Sequence, residues 1–317
     1  MGNSRRDLPV IFLMGPTATG KTGLAVELHQ RFPMDIISVD SAMVYRGMDI
    51  GTAKPDKDIQ RTAPHRLIDI CDPAESYSAA RFCQDAINEI NSIHADNRIP
   101  LLVGGTGLYF RALEQGLSEL PAADETIRAQ IEAEAEKNGW EKMHARLTEI
   151  DPQAADRIHP NDPQRIQRAL EVFEITGIPI SEHFSTGQSN LLESEVIKII
   201  VSPTDRSFLH EKIESRFRKM LSTGLVEEVE ILRKRGDLHQ GLPSMRMVGY
   251  RQVWQFLEGE LDYEKMVDHA IVATRQLAKR QMTWLRKERN SRYFASEQDD
   301  LLSNLLNYIE NNAEKFR

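Results

Sequence analysis

The chain has 317 residues, a net charge of −8, and 40% hydrophobic and 28% charged side chains, enough for a large core in two domains or in one domain with an insertion. Its two cysteines, Cys71 and Cys83, are too few and wrongly spaced for a zinc site or a disulfide framework, and reduced thiols are the simple reading. No run is long and apolar enough to span a bilayer, and with no signal peptide the expected location is cytoplasmic.

The first apolar run, Val10–Met14, reads as a buried strand. It leads into Gly15-Pro16-Thr17-Ala18-Thr19-Gly20-Lys21-Thr22, after which Leu24, Leu28 and Phe32 recur on one helical face. A glycine-rich loop between strand and helix cradles phosphate, because its N–H groups turn inward and the helix N-terminus adds partial positive charge. Lys21 supplies a point charge for the outer phosphates, and the Thr22 hydroxyl suits a Mg²⁺ that bridges them. The loop alone does not say whether those phosphates belong to ATP.

A second strand over 36–39 ends at Asp40, a weaker run covers 67–70, and a third clear strand over 101–103 runs into Gly104-Gly105-Thr106-Gly107. A further strand over 196–201 ends at Ser202-Pro203, and helix-length patterns such as 78–94 lie between the early strands. This alternation predicts an α/β fold, a phosphate-loop parallel sheet with helices on both faces. Ligands on such sheets bind beyond the carboxyl ends of the strands, so the phosphate loop, Asp40 and Thr106 should share one edge. The interval 103–196 is too long for one crossover helix and reads as a helical insertion. Its stripes are Ile127 with Ile131, then Trp140, Met143, Leu147 and Ile150, then Ile166, Leu170 and Phe173. Beyond 203 the chain is helical again, with Phe208, Ile213, Phe217 and Met220 on one pattern and further helices over about 244–257 and 263–288. The expected organisation is the first part of the core over 1–120, the insertion over 121–190, and core completion with a basic helical C-terminal region over 191–317.

Asp40 can cap a turn, hold Mg²⁺, or act as a base. The strand over 101–103 ends without an acid, which argues against a conventional ATP hydrolase and leaves Asp40 as the best-placed carboxylate. The Gly104–Gly107 turn permits either tight packing or a contact from Thr106 to a flipped base or a phosphate. Arg165 and Arg168 lie on nearly one face of a well-capped helix, where pairing to Glu171 or Glu174 competes with nucleic-acid contact. Arg216 reads as a surface ion-pair former unless its helix leans over the phosphate loop. Residues 275–292 hold Arg275, Lys279, Arg280, Arg286, Lys287, Arg289 and Arg292 against Glu288 alone, with Gln276, Gln281 and Trp284 among them. That run is either a solvated face or an RNA contact, although the net charge argues mildly against the latter. No histidine pair has metal-ligand spacing.

Taken together, these residues resemble the tRNA dimethylallyltransferase (tRNA isopentenyltransferase) family of bacterial type, over almost the whole chain. The resemblance rests on the phosphate loop at 15–22, on Asp40-Ser41 continuing through Tyr45-Arg46-Gly47-Met48-Asp49-Ile50-Gly51-Thr52-Ala53-Lys54-Pro55, and on Pro64-His65-Arg66. It extends through Gly104-Gly105-Thr106-Gly107-Leu108-Tyr109, His159-Pro160-Asn161-Asp162, Arg246-Met247-Val248-Gly249-Tyr250-Arg251 and Thr274-Arg275-Gln276-Leu277-Ala278-Lys279-Arg280-Gln281. The resemblance implies that the loop, from Gly15 to Thr22, grips dimethylallyl diphosphate and that Lys21, Arg216 and a Mg²⁺ on Thr22 neutralise the departing diphosphate. It implies Asp40 as general base toward the exocyclic amine of an adenosine just 3′ of the anticodon. It further implies contacts to the tRNA anticodon stem-loop from Asp40, Ser41, Ala42, Met43, Thr106 and Arg128. The same holds for Gln164, Arg165, Ile166, Gln167 and Arg168, for Arg246, Met247, Val248, Gly249, Tyr250 and Arg251, and for Lys279, Arg280, Gln281, Met282, Thr283, Trp284, Leu285 and Arg286. Met43 stands where many members carry glutamine, which removes a side-chain hydrogen bond to RNA. The zinc finger of eukaryotic relatives is missing, and Thr19 keeps the hydroxyl of the more common serine. A monomer is the default expectation, since a protein wrapping one stem-loop needs no second subunit. The competing readings are a phosphate-loop kinase of small molecules or nucleotides, and an RNA-binding protein that uses the loop as a nucleotide switch.

Overall fold

A computed structural model of the chain describes residues 8–118, 120–184 and 191–312. In chain order the elements are β1 (Val10–Met14), α1 (Lys21–Arg31), β2 (Met34–Val39), α2 (Lys57–Thr62), β3 (His65–Arg66), α3 (Ala79–Ala95), β4 (Ile99–Gly104) and α4 (Gly107–Gln115). Five helices follow: α5 (Glu125–Asn138), α6 (Trp140–Ile150), α7 (Pro152–Ala155), α8 (Pro163–Thr176) and α9 (Ile180–His183). The chain continues with β5 (Val196–Ser202), α10 (Arg206–Ser222), α11 (Leu225–Lys234), α12 (Tyr250–Leu257), α13 (Tyr263–Leu285), β6 (Ser291–Ala295) and α14 (Leu301–Asn311).

The sheet has the order β3-β2-β4-β1-β5-β6, and all its pairings are parallel. β1 and β4 are buried along their whole length, as strands covered on both faces must be. One face carries Ile11, Leu13, Ile36, Leu101, Ile199 and Val201, which pack with Leu24 and Leu28 of α1 and Leu305 and Ile309 of α14. On the other face Phe12 meets Phe110 of α4 with ring centroids 4.9 Å apart, and Phe110 lies 6.3 Å from Trp284 of α13. The α/β reading, a parallel sheet with helices on both faces, is therefore borne out. Because β1, β2 and β4 run the same way, the phosphate loop, Asp40 and Thr106 leave the sheet at a single edge.

Three expectations need correction. Residues 67–70 are turn rather than strand, since Leu67 and Asp69 hold φ of 61° and 56°, and only His65–Arg66 pairs with β2. The helix expected from 244 starts at Tyr250, because Gly249 sits at φ 92° and the preceding residues form turns. β6 and α14 were not anticipated. With Arg292 and Tyr293 exposed, β6 lacks the apolar run that marks the inner strands.

The chain divides into two compact units, one made of Met1–Glu114 and Leu192–Arg317, the other of Gln115–Leu191. The smaller unit has its own core of Ile131, Met143, Leu147, Ile166, Leu170 and Val172 from α5, α6 and α8. Asp162 caps α8 by accepting the Arg165 N–H at 3.2 Å, with Pro163 in the first turn where its missing donor costs nothing. Among the described residues no helix is long and apolar enough to cross a membrane.

Candidate functional site

Two cavities of about 570 and 970 Å³ open at the carboxyl edge of the sheet and share Thr17, Ala18, Asp40, Gly105, Arg216 and Gln281 among their linings. The larger is lined by Thr17, Ala18, Thr19, Gly20, Lys21 and Thr22 of the glycine-rich loop together with Met43 and Lys54. Gly20 takes φ 81°, a left-handed turn that brings the chain into α1 without a side-chain cap and leaves the first helical N–H groups free for an anion. Gly15 does not line the cavity. Its place is set by packing, because a Cβ there would lie 2.2 Å from the Val201 carbonyl oxygen.

Lys21 Nζ donates to the Pro16 carbonyl at 2.6 Å and to Thr19 Oγ1 at 3.4 Å. Burial, then the neighbouring Arg216 charge, lower its pKa to about 7, with Asp40 opposing the shift. Arg216 of α10 leans over the loop after all, donating from Nη1 to Thr17 Oγ1 at 3.1 Å and from Nη2 to the Thr52 carbonyl at 3.5 Å. Burial pulls its pKa below the ordinary guanidinium value, and Asp40 again opposes. Two cations thus face one carboxylate in a confined space, an arrangement that favours a phosphate-bearing anion. Thr22 Oγ1 has no protein partner among the described residues and lines the cavity. A single hydroxyl would suit Mg²⁺ if phosphate and water supplied its other ligands, since that ion rarely uses an all-protein cage. The described residues hold no cluster of three or more acidic, histidine or cysteine ligands.

Asp40 follows β2 directly, and its Oδ1 accepts the Ala42 N–H at 2.8 Å, the turn-capping geometry, while the carboxylate lines both cavities. Thr106 Oγ1 accepts the Ser41 N–H at 3.2 Å, which ties the two strand ends together. The smaller cavity is closed by Ser41, Ala42, Leu108, Ile213, Phe217, Met220, Val248 and Trp284, with Arg246, Met247, Gly249 and Arg280 also lining it. Gly107 is required there, because a Cβ would lie 2.4 Å from the Trp284 ring.

Several residues expected to contact RNA have buried side chains. Tyr250 and Ile166 have no exposed surface, Leu285 is 1% exposed and Met282 7%, so their side chains pack within the protein. Gln281 spends its amide on the loops, accepting the Thr17 N–H at 2.9 Å and donating to the Gly105 carbonyl at 3.0 Å. Lys279 and Thr283 on α13, Arg286 just beyond its end, and Arg251 on α12 are exposed. Arg128, Gln164, Arg165, Gln167 and Arg168 lie in the Gln115–Leu191 unit. There Arg128 and Arg168 reach Glu171 at 2.9 and 2.7 Å, Gln167 reaches Glu132 at 2.9 Å, and Arg165 is exposed beside Asp162.

Two participants escaped the sequence reading. Glu228 of α11 accepts the N–H groups of Asp49, Ile50 and Gly51 at 2.9, 2.7 and 3.1 Å and the Tyr250 hydroxyl at 2.6 Å, so it shapes the 49–54 loop that lines the site. Lys54, with its side chain 2% exposed, bridges Asp49 and Asp69 at 2.6 Å each. Glu228 carries no local signal, since the backbone groups it holds lie about 178 residues away, whereas the partners of Lys54 are only five and fifteen residues from it.

Residues 43–288 match the family model described as IPP transferase. The tRNA dimethylallyltransferase of Coxiella burnetii (strain Dugway 5J108-111) is 55% identical over 301 residues, covering 95% of this chain and 97% of that protein. The tRNA dimethylallyltransferase of Thioalkalivibrio sulfidiphilus is 60% identical over 278 residues, covering 88% and 87%. The crystal structure of the full-length tRNA isopentenylpyrophosphate transferase from Bacillus halodurans is 36% identical with a TM-score of 0.71 and covers 97% of each chain. A eukaryotic dimethylallyltransferase seen acting on tRNA is 25% identical with a TM-score of 0.79, covering 97% of this chain and 79% of that one.

Proposed function

The chain is an enzyme of the IPP transferase family, and from that premise we propose that it moves a dimethylallyl group from dimethylallyl diphosphate to the N6 amine of the adenosine 3′ of a tRNA anticodon. The observation that carries this reading is Asp40, which lines both a phosphate-loop cavity and a second cavity with apolar walls. The diphosphate lies on the loop from Thr17 to Thr22, where Lys21 and Arg216 balance the charge that develops as the allylic carbon–oxygen bond breaks. The target adenosine leaves its stack and enters beside Thr106, Leu108 and Trp284, which exclude water and align the amine with the allylic carbon. A nitrogen–carbon bond forms, diphosphate departs, and the amine proton passes to Asp40. Mg²⁺ on Thr22 and the phosphates would supply further charge neutralisation. The exposed cations Arg246, Arg251, Lys279, Arg280 and Arg286 hold the anticodon stem-loop, and the insertion, with Arg165, acts as the tRNA clamp of a monomeric enzyme.

The test mixes the protein with dimethylallyl diphosphate, Mg²⁺ and unmodified tRNA. Transfer of the prenyl group to RNA is the expected result. Robust ATP turnover without transfer would overturn the reading in favour of a kinase.

A further inference from the structure

A third cavity, of about 840 Å³, lies beyond the last turn of α13, between that turn, β6 and α14. Among the described residues no acidic side chain lines it, although the whole chain carries a net charge of −8. Its cations are Arg286 and Arg292, and among the described residues neither guanidinium has a carboxylate within ion-pair distance. Arg292 rests instead 5.9 Å from the centroid of Phe294. From the opposite wall α14 presents Asn304, Asn307 and Asn311, spaced to project from one side of the helix. Tyr293 adds an aromatic ring that is 47% exposed, fixed by donation of its hydroxyl to the Leu285 carbonyl.

Unpaired arginines, a row of primary amides and a half-exposed aromatic ring are complementary to one kind of ligand, a nucleotide with its phosphate attached. Guanidiniums take the phosphate, the amides offer donors and acceptors to a base edge, and the ring offers a stacking surface. A solvated helix end would need none of the amides facing the cations. An acidic peptide would use the arginines and leave the ring and amides idle. The position also fits. Gln281 and Trp284 on α13 line the cavity beside Asp40, whereas Met282, Leu285 and Arg286 line this one, so the two flank the same helix end about one helix diameter apart, on the order of 10 Å.

We propose that this cavity is a second RNA subsite, in which Arg292, Tyr293 and the α14 asparagines hold a nucleotide of the same strand that enters the reaction site. The inference rests on the reading of tRNA as substrate. It adds residues beyond α13 to those expected to touch RNA, and a base-contacting role to a region otherwise read only as charge.

The experiment compares wild type with Arg292→Gln and Asn307→Asp, using an unmodified tRNA transcript and an anticodon stem-loop hairpin. Both substitutions lie at exposed positions, and matching melting curves establish that the fold is kept. RNA dissociation constants are measured across salt concentrations, and KM for dimethylallyl diphosphate at saturating RNA. Arg292→Gln should weaken RNA binding by about tenfold and lower the salt slope by roughly 0.7, the share of one phosphate on a single strand. Asn307→Asp should weaken it at least as much, by occupying the guanidiniums with a carboxylate. KM for the diphosphate should stay unchanged in both. Unchanged RNA affinity and salt slope in both variants, in an enzyme that still prenylates tRNA, would overturn this proposal alone. A wild type that neither binds nor modifies tRNA overturns the functional reading with it.

Discussion

Asp40 and Lys21 show how single residues in this site are tuned by confinement. Asp40 lies within electrostatic reach of two cations, Lys21 and Arg216, and its Oδ1 is anchored by the Ala42 N–H, which restrains the carboxylate. Asp40→Asn keeps that anchor and removes the proton acceptor. Its transfer rate should fall by about two to four orders of magnitude with tRNA affinity nearly unchanged, measured by single-turnover prenylation beside equilibrium binding. A normal rate would take Asp40 out of the chemistry. Lys21 makes a different prediction. Its pKa of about 7 in the free protein arises from burial and from Arg216, and a bound diphosphate must raise it by replacing that repulsion with attraction. Binding therefore takes up a proton above pH 7. Affinity for the diphosphate is fully present below the free value and falls by up to about tenfold per pH unit above it, until the bound value is reached. Calorimetry at pH 8 in buffers of different ionisation enthalpy should detect uptake approaching one proton. Lys21→Met should lower the affinity and abolish the slope, and a slope that survives in that variant would assign the proton elsewhere.

Among the elements, the loop over 49–54 depends on a carboxylate from another part of the chain. Glu228 fills a nest of three backbone N–H groups and also takes the Tyr250 hydroxyl, so a single side chain satisfies four donors. Gly51 is pressed against Tyr250, where a Cβ would lie 2.5 Å from the ring, and Thr52 presents its carbonyl to Arg216. Glu228→Ala strands those donors, at a cost of about 1–3 kcal/mol, and should raise KM for the diphosphate by roughly tenfold through misplacement of Arg216. Glu228→Gln should recover part of the loss, and equal effects in the two variants would reduce Glu228 to a bulk packing role. The same loop marks what could be read beforehand. β1, the phosphate loop and α1 are contiguous, so apolar runs and glycine spacing reveal them. Asp40 was legible because it ends a strand. Glu228 was not, since the backbone groups it holds lie about 178 residues away and meet it only in the folded chain. Gln281 was read as an RNA contact from its cationic neighbours, but its amide bonds two loops that only tertiary structure brings beside it. β6 stayed hidden because an edge strand with exposed Arg292 and Tyr293 lacks the continuous apolar run of a central one.

Across the whole molecule, the division into two units separates two kinds of stability. The sheet unit is held by apolar layers on both faces, whereas the Gln115–Leu191 unit combines a modest apolar core with buried carboxylates, Asp151 and, paired to two arginines, Glu171. Burial alone would raise the Glu171 pKa, but hydrogen bonds from Arg168, Arg128 and the Asp124 N–H outweigh it and hold the carboxyl below its usual range. A depressed carboxylate contributes stability that is present above its unfolded value and lost as pH falls through the folded one. The insertion should therefore open in acid before the sheet does. Hydrogen exchange at stepped pH would show the amides of α5, α6 and α8 losing protection while those of β1 and β4 keep it. Glu171→Ala should reproduce the effect at neutral pH. Its cost should be about 3 kcal/mol, the low end for breaking a buried pair, because Arg128 and Arg168 keep 43% and 28% of their side chains exposed to water. That variant should still bind dimethylallyl diphosphate, since Lys21, Thr22 and Arg216 all belong to the other unit. It should fail to hold tRNA if the insertion acts as the clamp. Diphosphate affinity lost in step with the insertion would mean that the two units fold as one. Full tRNA affinity with the insertion melted would assign RNA binding to the sheet unit alone.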